Sequence, residues 1–235
     1  MLTAYGKREW RAILAIGLTL AATCVFVQWW QLAVACIVVT TVLLSFFRDP
    51  VRSIPSQRGV MVSPADGRVS SVHELDYFEP LGEAAVCVRI FLSLLNVHVN
   101  RCPCHGQVDS ITHQPGKHLN ALNPRSARLN EWNLIVLRHP TRGHSVAAVR
   151  QVAGLLARTI VCGVKLGQIL QRGERLGMIK FGSTTEIYIP QSARPRVTVQ
   201  KGQKVFGGQT VLAQLATCPA TEATQPESRR ASMTT

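Results

Sequence analysis

Between Arg11 and Arg48 the chain carries no charged residue, and most positions are Ala, Val, Ile, Leu, Phe or Trp. A simple membrane span needs about 20 such residues, so this stretch is too long for one and somewhat short for two full ones. Gln28-Trp29-Trp30-Gln31 interrupts it, with aromatics of the kind that settle at a membrane interface. The pattern predicts two short helices, Ala12 to Val27 and Leu32 to Phe47, folded back as a hairpin. Lys7, Arg8 and Arg11 precede the apolar stretch and Arg48 and Arg52 follow it. Positive charge at both outer ends places both on the cytoplasmic side, which makes the hairpin an anchor in the cell membrane with the rest of the chain facing the cytoplasm. A cleaved signal peptide or a lipoprotein site at Ala33-Val34-Ala35-Cys36 fits less well, because the hydrophobicity runs past any cleavage point.

Beyond Arg48-Asp49-Pro50 and Ile54-Pro55, a stiff, basic, proline-broken linker, the pattern changes to short β-branched runs punctuated by glycine. Val60 to Val62, Arg68 to His73, Ala84 to Ser93, Gly106 to His113, Asn133 to Arg138 and Ser145 to Val152 read as strands. The best helix candidate in this part runs from about Val152 to Ile160, and it reads almost as well as strand. Many short strands between turn signals predict a mainly β domain, a β-sandwich or barrel-like fold. Val197 to Ala213, with its Lys201-Gly202 and Gly207-Gly208 turns, has the rhythm of lipoyl-type barrel-sandwich domains, and Ser63-Pro64-Ala65-Asp66-Gly67 has a similar turn-then-strand shape. The resulting organisation is an anchor over 1–47, a β domain over 48–217 and a polar tail over 218–235 that lacks an apolar period and is expected to be disordered.

The chain has 26 Lys and Arg against 13 Asp and Glu, a net charge of +13, which calls for an acidic partner. The apolar hairpin turns that expectation from nucleic acid toward an anionic membrane surface, and no interleaved aromatics or nucleic-acid motif argue otherwise. Seven cysteines at scattered positions outline no disulfide framework. Cys102-Pro103-Cys104-His105 lacks a second ligand pair at zinc spacing, so no metal site is expected.

Three polar constellations carry candidate chemistry: Asp66 in its Pro-Ala-Asp-Gly turn, His98 in Asn96-Val97-His98-Val99-Asn100-Arg101, and Gly182-Ser183 after Gly173 to Phe181. A carboxylate, an imidazole and a hydroxyl are the parts that turn a serine into a nucleophile. Singly, each has a plain structural reading: a turn aspartate, a core histidine, an ordinary Gly-Ser. Arg101 and Lys117 add cations suited to an anionic head group, and each could equally be part of the basic surface. A membrane-tethered, lipoyl-like binding module without catalysis accounts for the glycine turns but leaves the three constellations as coincidence.

Taken together, Arg48-Asp49-Pro50, Ser63 to Gly67, Phe91 to Pro103, Val149 to Gly154 and Gly173 to Thr184 resemble, in order, the motifs of phosphatidylserine decarboxylases, most closely the short archaeal-type branch. The resemblance covers roughly residues 46 to 214. It implies a proenzyme that cuts itself between Gly182 and Ser183, giving a β chain of 1–182 and an α chain of 183–235 that stay together as a heterodimer. Ser183 would become a pyruvoyl group, the only cofactor, which forms a Schiff base with the amine of phosphatidylserine and takes up the electrons left by carbon dioxide, giving phosphatidylethanolamine. The family's histidine and aspartate map onto His98, as general base and acid, and Asp66, as the group that orients it. Where long-form relatives carry a second histidine, this chain has Arg101.

Overall fold

The computed structural model of the protein describes residues 1–119, 129–155, 159–180 and 183–216. Two helices open it, α1 (Lys7–Phe26) and α2 (Trp30–Ser45), where the hydrophobic pattern predicts a hairpin. α1 begins five residues earlier than expected, taking in the charged turn Lys7-Arg8-Glu9-Trp10-Arg11. The two helices cross closely at Gly17, where an added Cβ would lie 2.1 Å from Thr40 Oγ1. Ala21 and Ala33 are also buried in the pair, while Ile16, Leu18, Phe26, Trp29, Trp30 and Val34 stay exposed.

The rest of the described chain is mainly β, in three sheets. The largest, curled and eight-stranded, has the order β13 (Lys204–Val205), β2 (Gly67–Phe78), β3 (Glu83–Leu92), β11 (Ser183–Pro190), β7 (Ser145–Val152), β6 (Trp132–Arg138), β5 (Gly106–Gln114), β9 (Ile169–Leu170). A three-stranded sheet joins β1 (Val60–Val62), β14 (Val211–Leu215) and β12 (Pro195–Val197). Another joins β4 (Val99–Arg101), β10 (Arg175–Lys180) and β8 (Thr159–Cys162). Residues such as Val88, Ile90, Leu92, Ile135, Leu137, Ile187 and Ile189 fill the main core.

The predicted strands are present within a few residues of their expected ends, and of the Val152 to Ile160 segment, expected as helix or strand, the described residues form no helix. β7 ends at Val152, and Thr159 to Cys162 forms β8 against β10. Thr159, Ile160 and Val161 are β-branched and gain a complete ladder there, which outweighs their weak local helical pattern. The two glycine turns noted in the sequence pack against each other: Ser63 N–H donates to Thr210 O, and Gly208 N–H donates to Ser63 O. Gly67 is required where β2 meets β3, because a Cβ would sit 2.2 Å from the Phe91 carbonyl oxygen.

The hairpin is joined to the β domain through its base. Phe46 and Phe47 are buried with Met178 of β10, and Leu2, Tyr5, Trp10, Ile13 and Val161 pack around them. Lys180 Nζ reaches Glu9 Oε1 of α1 at 2.5 Å. Asp49 binds Arg101 Nη2 at 2.6 Å, with both side chains over nine-tenths buried, and it also pairs with Arg175. Asp49→Asn strips the buried Arg101 of its counter-charge. It is expected to destabilise the β domain by roughly 3–5 kcal/mol, read as a lowered denaturation midpoint in detergent.

Candidate active site

All eight residues of β11 are buried, because the strand lies in the middle of the large sheet with β3 on one side and β7 on the other. Strand alternation puts Ser183, Thr185, Ile187 and Ile189 on the main-core face. Thr184, Glu186 and Tyr188 lie on the opposite face, where Glu186 takes Arg150 at 2.6 Å, Arg89 at 3.5 Å and the Tyr188 hydroxyl at 2.6 Å. Ser183 opens the strand opposite Leu92. Its Oγ is buried and finds no hydrogen-bond partner among the described residues. Leaving a buried hydroxyl unsatisfied costs about 1–3 kcal/mol, so this atom is a candidate reacting group.

Next to it runs a line of buried side-chain hydrogen bonds. Asn133 Nδ2 donates to Gln151 Oε1 (3.0 Å), Gln151 Nε2 to Asn100 Oδ1 (2.8 Å), and Asn100 Nδ2 to Thr185 Oγ1 (2.9 Å). The last bond ties β4 to β11. Ser183 comes two residues before Thr185 on the same face of β11, and His98 lies just ahead of β4, two residues before Asn100. The carbonyl of His98 also accepts the N–H of Ile179, four residues before Ser183. Imidazole and hydroxyl therefore belong to the same corner of the fold.

His98 is fully buried, and the Phe46 ring lies 4.4 Å away, centroid to centroid. Its Nδ1 is 2.9 Å from the carbonyl oxygen of Asn96. A carbonyl oxygen only accepts, so Nδ1 carries the proton and Nε2 is the basic nitrogen of the neutral ring. Burial pushes the imidazole down to about 4 from its ordinary 6.5; Arg48 adds to the shift and the Asn96 bond opposes it. The ring is thus neutral at physiological pH and able to accept a proton.

The other expected residues are placed differently. Asp66 Oδ2 takes Arg52 Nη2 at 2.8 Å and its Oδ1 takes the Gly207 N–H at 2.7 Å. Both oxygens are thus engaged by the linker and the neighbouring glycine turn, while the Asn96 carbonyl holds the imidazole Nδ1. Arg101 faces away from Asn100 and His98, with its guanidinium on Asp49, the Gly173 carbonyl and the Pro50 carbonyl. It lines a cleft of about 570 Å³ with Tyr5, Arg52, Ile54, Arg172 and Arg175, none of them from β3, β7 or β11. This cleft is therefore not the Ser183 site. Lys117 is exposed, yet its backbone leads to that site, since its carbonyl accepts from Glu131 and the Glu131 carbonyl accepts from Ala153, the residue after β7. Gly182 and the 218–235 tail lie outside the described residues.

A family model described as phosphatidylserine decarboxylase matches residues 39–213, which takes in β11, His98 and Asp66. The chain belongs to the phosphatidylserine decarboxylase family. It is similar to proteins described as phosphatidylserine decarboxylase proenzymes: one from Oleidesulfovibrio alaskensis is 46% identical over 84% of this chain and 89% of its own length. Others are 44% identical in Rhodopirellula baltica, over 79% of this chain and 76% of that protein, and 43% in Cupriavidus pinatubonensis, over 80% and 83%. Membership in this decarboxylase family makes the chain an enzyme of the carboxy-lyase type.

Sequence reasoning missed the amide line from Asn133 to Thr185, although Gln151 and Asn100 both fall inside segments that carry the resemblance. A signal was present: Gln151 and Asn133 interrupt otherwise apolar strands, and a polar side chain in such a place requires a partner. Cys102 and Cys104 are buried, and burial pushes the Cys104 thiol up to about 12 and the Cys102 thiol well above its usual range. Such thiols are held in their protonated, unreactive form.

Proposed function

We propose that this chain is a self-processing, pyruvoyl-dependent phosphatidylserine decarboxylase, with Ser183 as both the nucleophile of the cut and the source of the pyruvoyl group. The observation that carries this reading is the buried Ser183 hydroxyl, which has no hydrogen-bond partner among the described residues, at the head of the central strand. The orphaned oxygen fits a residue whose purpose is to react. A lipoyl-like binding module leaves that unsatisfied hydroxyl unexplained.

In the self-cleavage, His98 Nε2 takes the Ser183 proton and Oγ attacks the Gly182 carbonyl carbon. The amide C–N bond breaks as the ester C–O bond forms, and the ring returns its proton to the freed amine. Loss of the Cα proton of residue 183 then expels the Gly182 carboxylate from Cβ and leaves dehydroalanine. Water converts that end to a pyruvoyl group and ammonia. The products are a β chain of 1–182 and an α chain of 183–235, retained as a heterodimer.

The pyruvoyl group supplies a carbonyl that draws off electrons as carbon dioxide leaves. The chain's own residues hold the site dry and move protons through His98. Lys117 is assigned to the anionic head group of phosphatidylserine, and Arg101, committed to Asp49, to clamping the linker. Asp66 acts through Arg52 and the Gly207 turn, holding the linker on the β domain. The hairpin is assigned as a membrane anchor: Ala4–Phe26 is long and apolar enough to cross, and Trp30–Ser45 is a shorter apolar helix. Its flanking Lys and Arg support a β domain on the cytoplasmic side, against an anionic surface.

Intact mass spectrometry of the purified protein tests the reading. The expected result is two chains split after Gly182, with the smaller one lighter by one ammonia than its serine-terminated form. A single full-length mass from folded protein would overturn it.

A further inference from the structure

The turn between β3 and His98 has its apolar residues on the outside. Leu94 is 46% exposed and Leu95 79%. The turn is tightly built: Ser93 N–H and Oγ both donate to Asn96 Oδ1, at 2.9 and 2.7 Å, and Asn96 N–H returns to the Ser93 carbonyl. A turn closed in this way holds its two leucines outward, where an ordinary solvated turn would carry polar residues.

Two bonds fix where this tip stands. On one side, Arg48 Nη2 donates to the Leu95 carbonyl at 2.5 Å. Arg48 follows α2, whose exposed apolar residues continue to Leu43. Five residues at about 1.5 Å each separate Leu43 from Arg48, so an Arg48 at head-group depth brings Leu95 to the edge of the hydrocarbon. On the other side, the turn starts from Leu92, which pairs with Ser183, and its Asn96 carbonyl holds the His98 ring.

We infer that the Leu94–Leu95 tip is a second lipid contact, inserted into the bilayer surface beside the hairpin, and that it seats the Ser183 site on the membrane so that lipid substrate is engaged without leaving the bilayer. This inference rests on the membrane and decarboxylase readings proposed above. The lipid surface is chosen as occupant because the tip is continuous with the exposed apolar hairpin and is flanked by a cation that suits anionic head groups.

Two measurements decide it. With a photoreactive diazirine side chain at position 95 and the full chain in phosphatidylglycerol vesicles, irradiation is expected to yield lipid adducts on the 93–97 peptide. Water adducts alone would overturn the inference, and this readout needs no turnover. The L94D/L95D variant is expected to cleave itself normally and to lose roughly tenfold or more in decarboxylation of phosphatidylserine held in those vesicles. On dihexanoyl-phosphatidylserine below its micelle concentration its rate should stay within about twofold of wild type, since chemistry at the site is untouched. Unchanged activity on vesicles, or an equal loss on both substrates, would remove the lipid contact. Wild type inactive on both substrates would instead sink the decarboxylase reading and leave the cross-link to judge the tip.

Discussion

Ser183→Ala is expected to give one uncleaved chain with no decarboxylation, read as a single full-length mass and no carbon dioxide release. The substitution deletes one oxygen, and that oxygen has no hydrogen-bond partner among the described residues. The backbone of β11 keeps its ladders to β3 and β7, because those bonds do not involve the side chain. Removing an unsatisfied hydroxyl from a dry site relieves a cost of about 1–3 kcal/mol, so the variant should melt at or above the temperature of the wild-type proenzyme. A stable, folded and inert protein is the signature of a reacting atom. Wild-type cleavage in this variant would take the reaction away from Ser183.

His98→Ala is expected to slow self-cleavage by about 10²–10⁴-fold, the usual contribution of a positioned general base. The size-matched His98→Gln should be slowed alike, which separates lost basicity from a cavity beside Phe46. Cleavage at the normal rate with lost turnover would confine His98 to the decarboxylation step. Acid should act on the same group. The buried ring takes up a proton only near pH 4, so wild-type cleavage should hold through pH 6.5 and fall as pH approaches 4. Stability carries the same sign. The folded imidazole binds its proton more weakly than the unfolded one, so its contribution is complete above pH 6.5 and declines as pH falls toward 4, by up to roughly 3 kcal/mol. The His98→Gln variant should lack that slope in a pH series of unfolding midpoints.

The apolar hairpin and most strands were legible because their signals are local. An uncharged run bounded by arginines and β-branched segments bounded by glycines each declare themselves within about ten residues. Ser183 and His98 were legible only through motif order. What escaped was long-range. Asp66 looks like the natural partner of an imidazole, but its partners are Arg52, fourteen residues upstream, and the Gly207 amide, 141 residues downstream. No spacing rule encodes such a pairing. Val152 to Ile160 read as helix or strand for the same reason, since the partner that makes its described end from Thr159 a strand, β10, is supplied from beyond it in the chain. The Asn133–Gln151–Asn100–Thr185 line joins four strands from distant parts of the sequence, visible beforehand only as polar residues with no reason to be buried.

The position of β11 sets the order of events in the life of this protein. A strand with neighbours on both sides is not a detachable end. The segment after the proposed cut supplies the middle of the large sheet, and two of its later strands pair with the preceding segment, β14 with β1 and β13 with β2, while β12 pairs with β14. Neither piece holds a complete core. On the proposed cleavage, the chain must fold as one before it is divided, and the two pieces could not be made separately and mixed, or traded between molecules, without unfolding. The proposed cut would remove a covalent link that the folded architecture no longer uses, so a protein denatured after such a cut is not expected to find its way back.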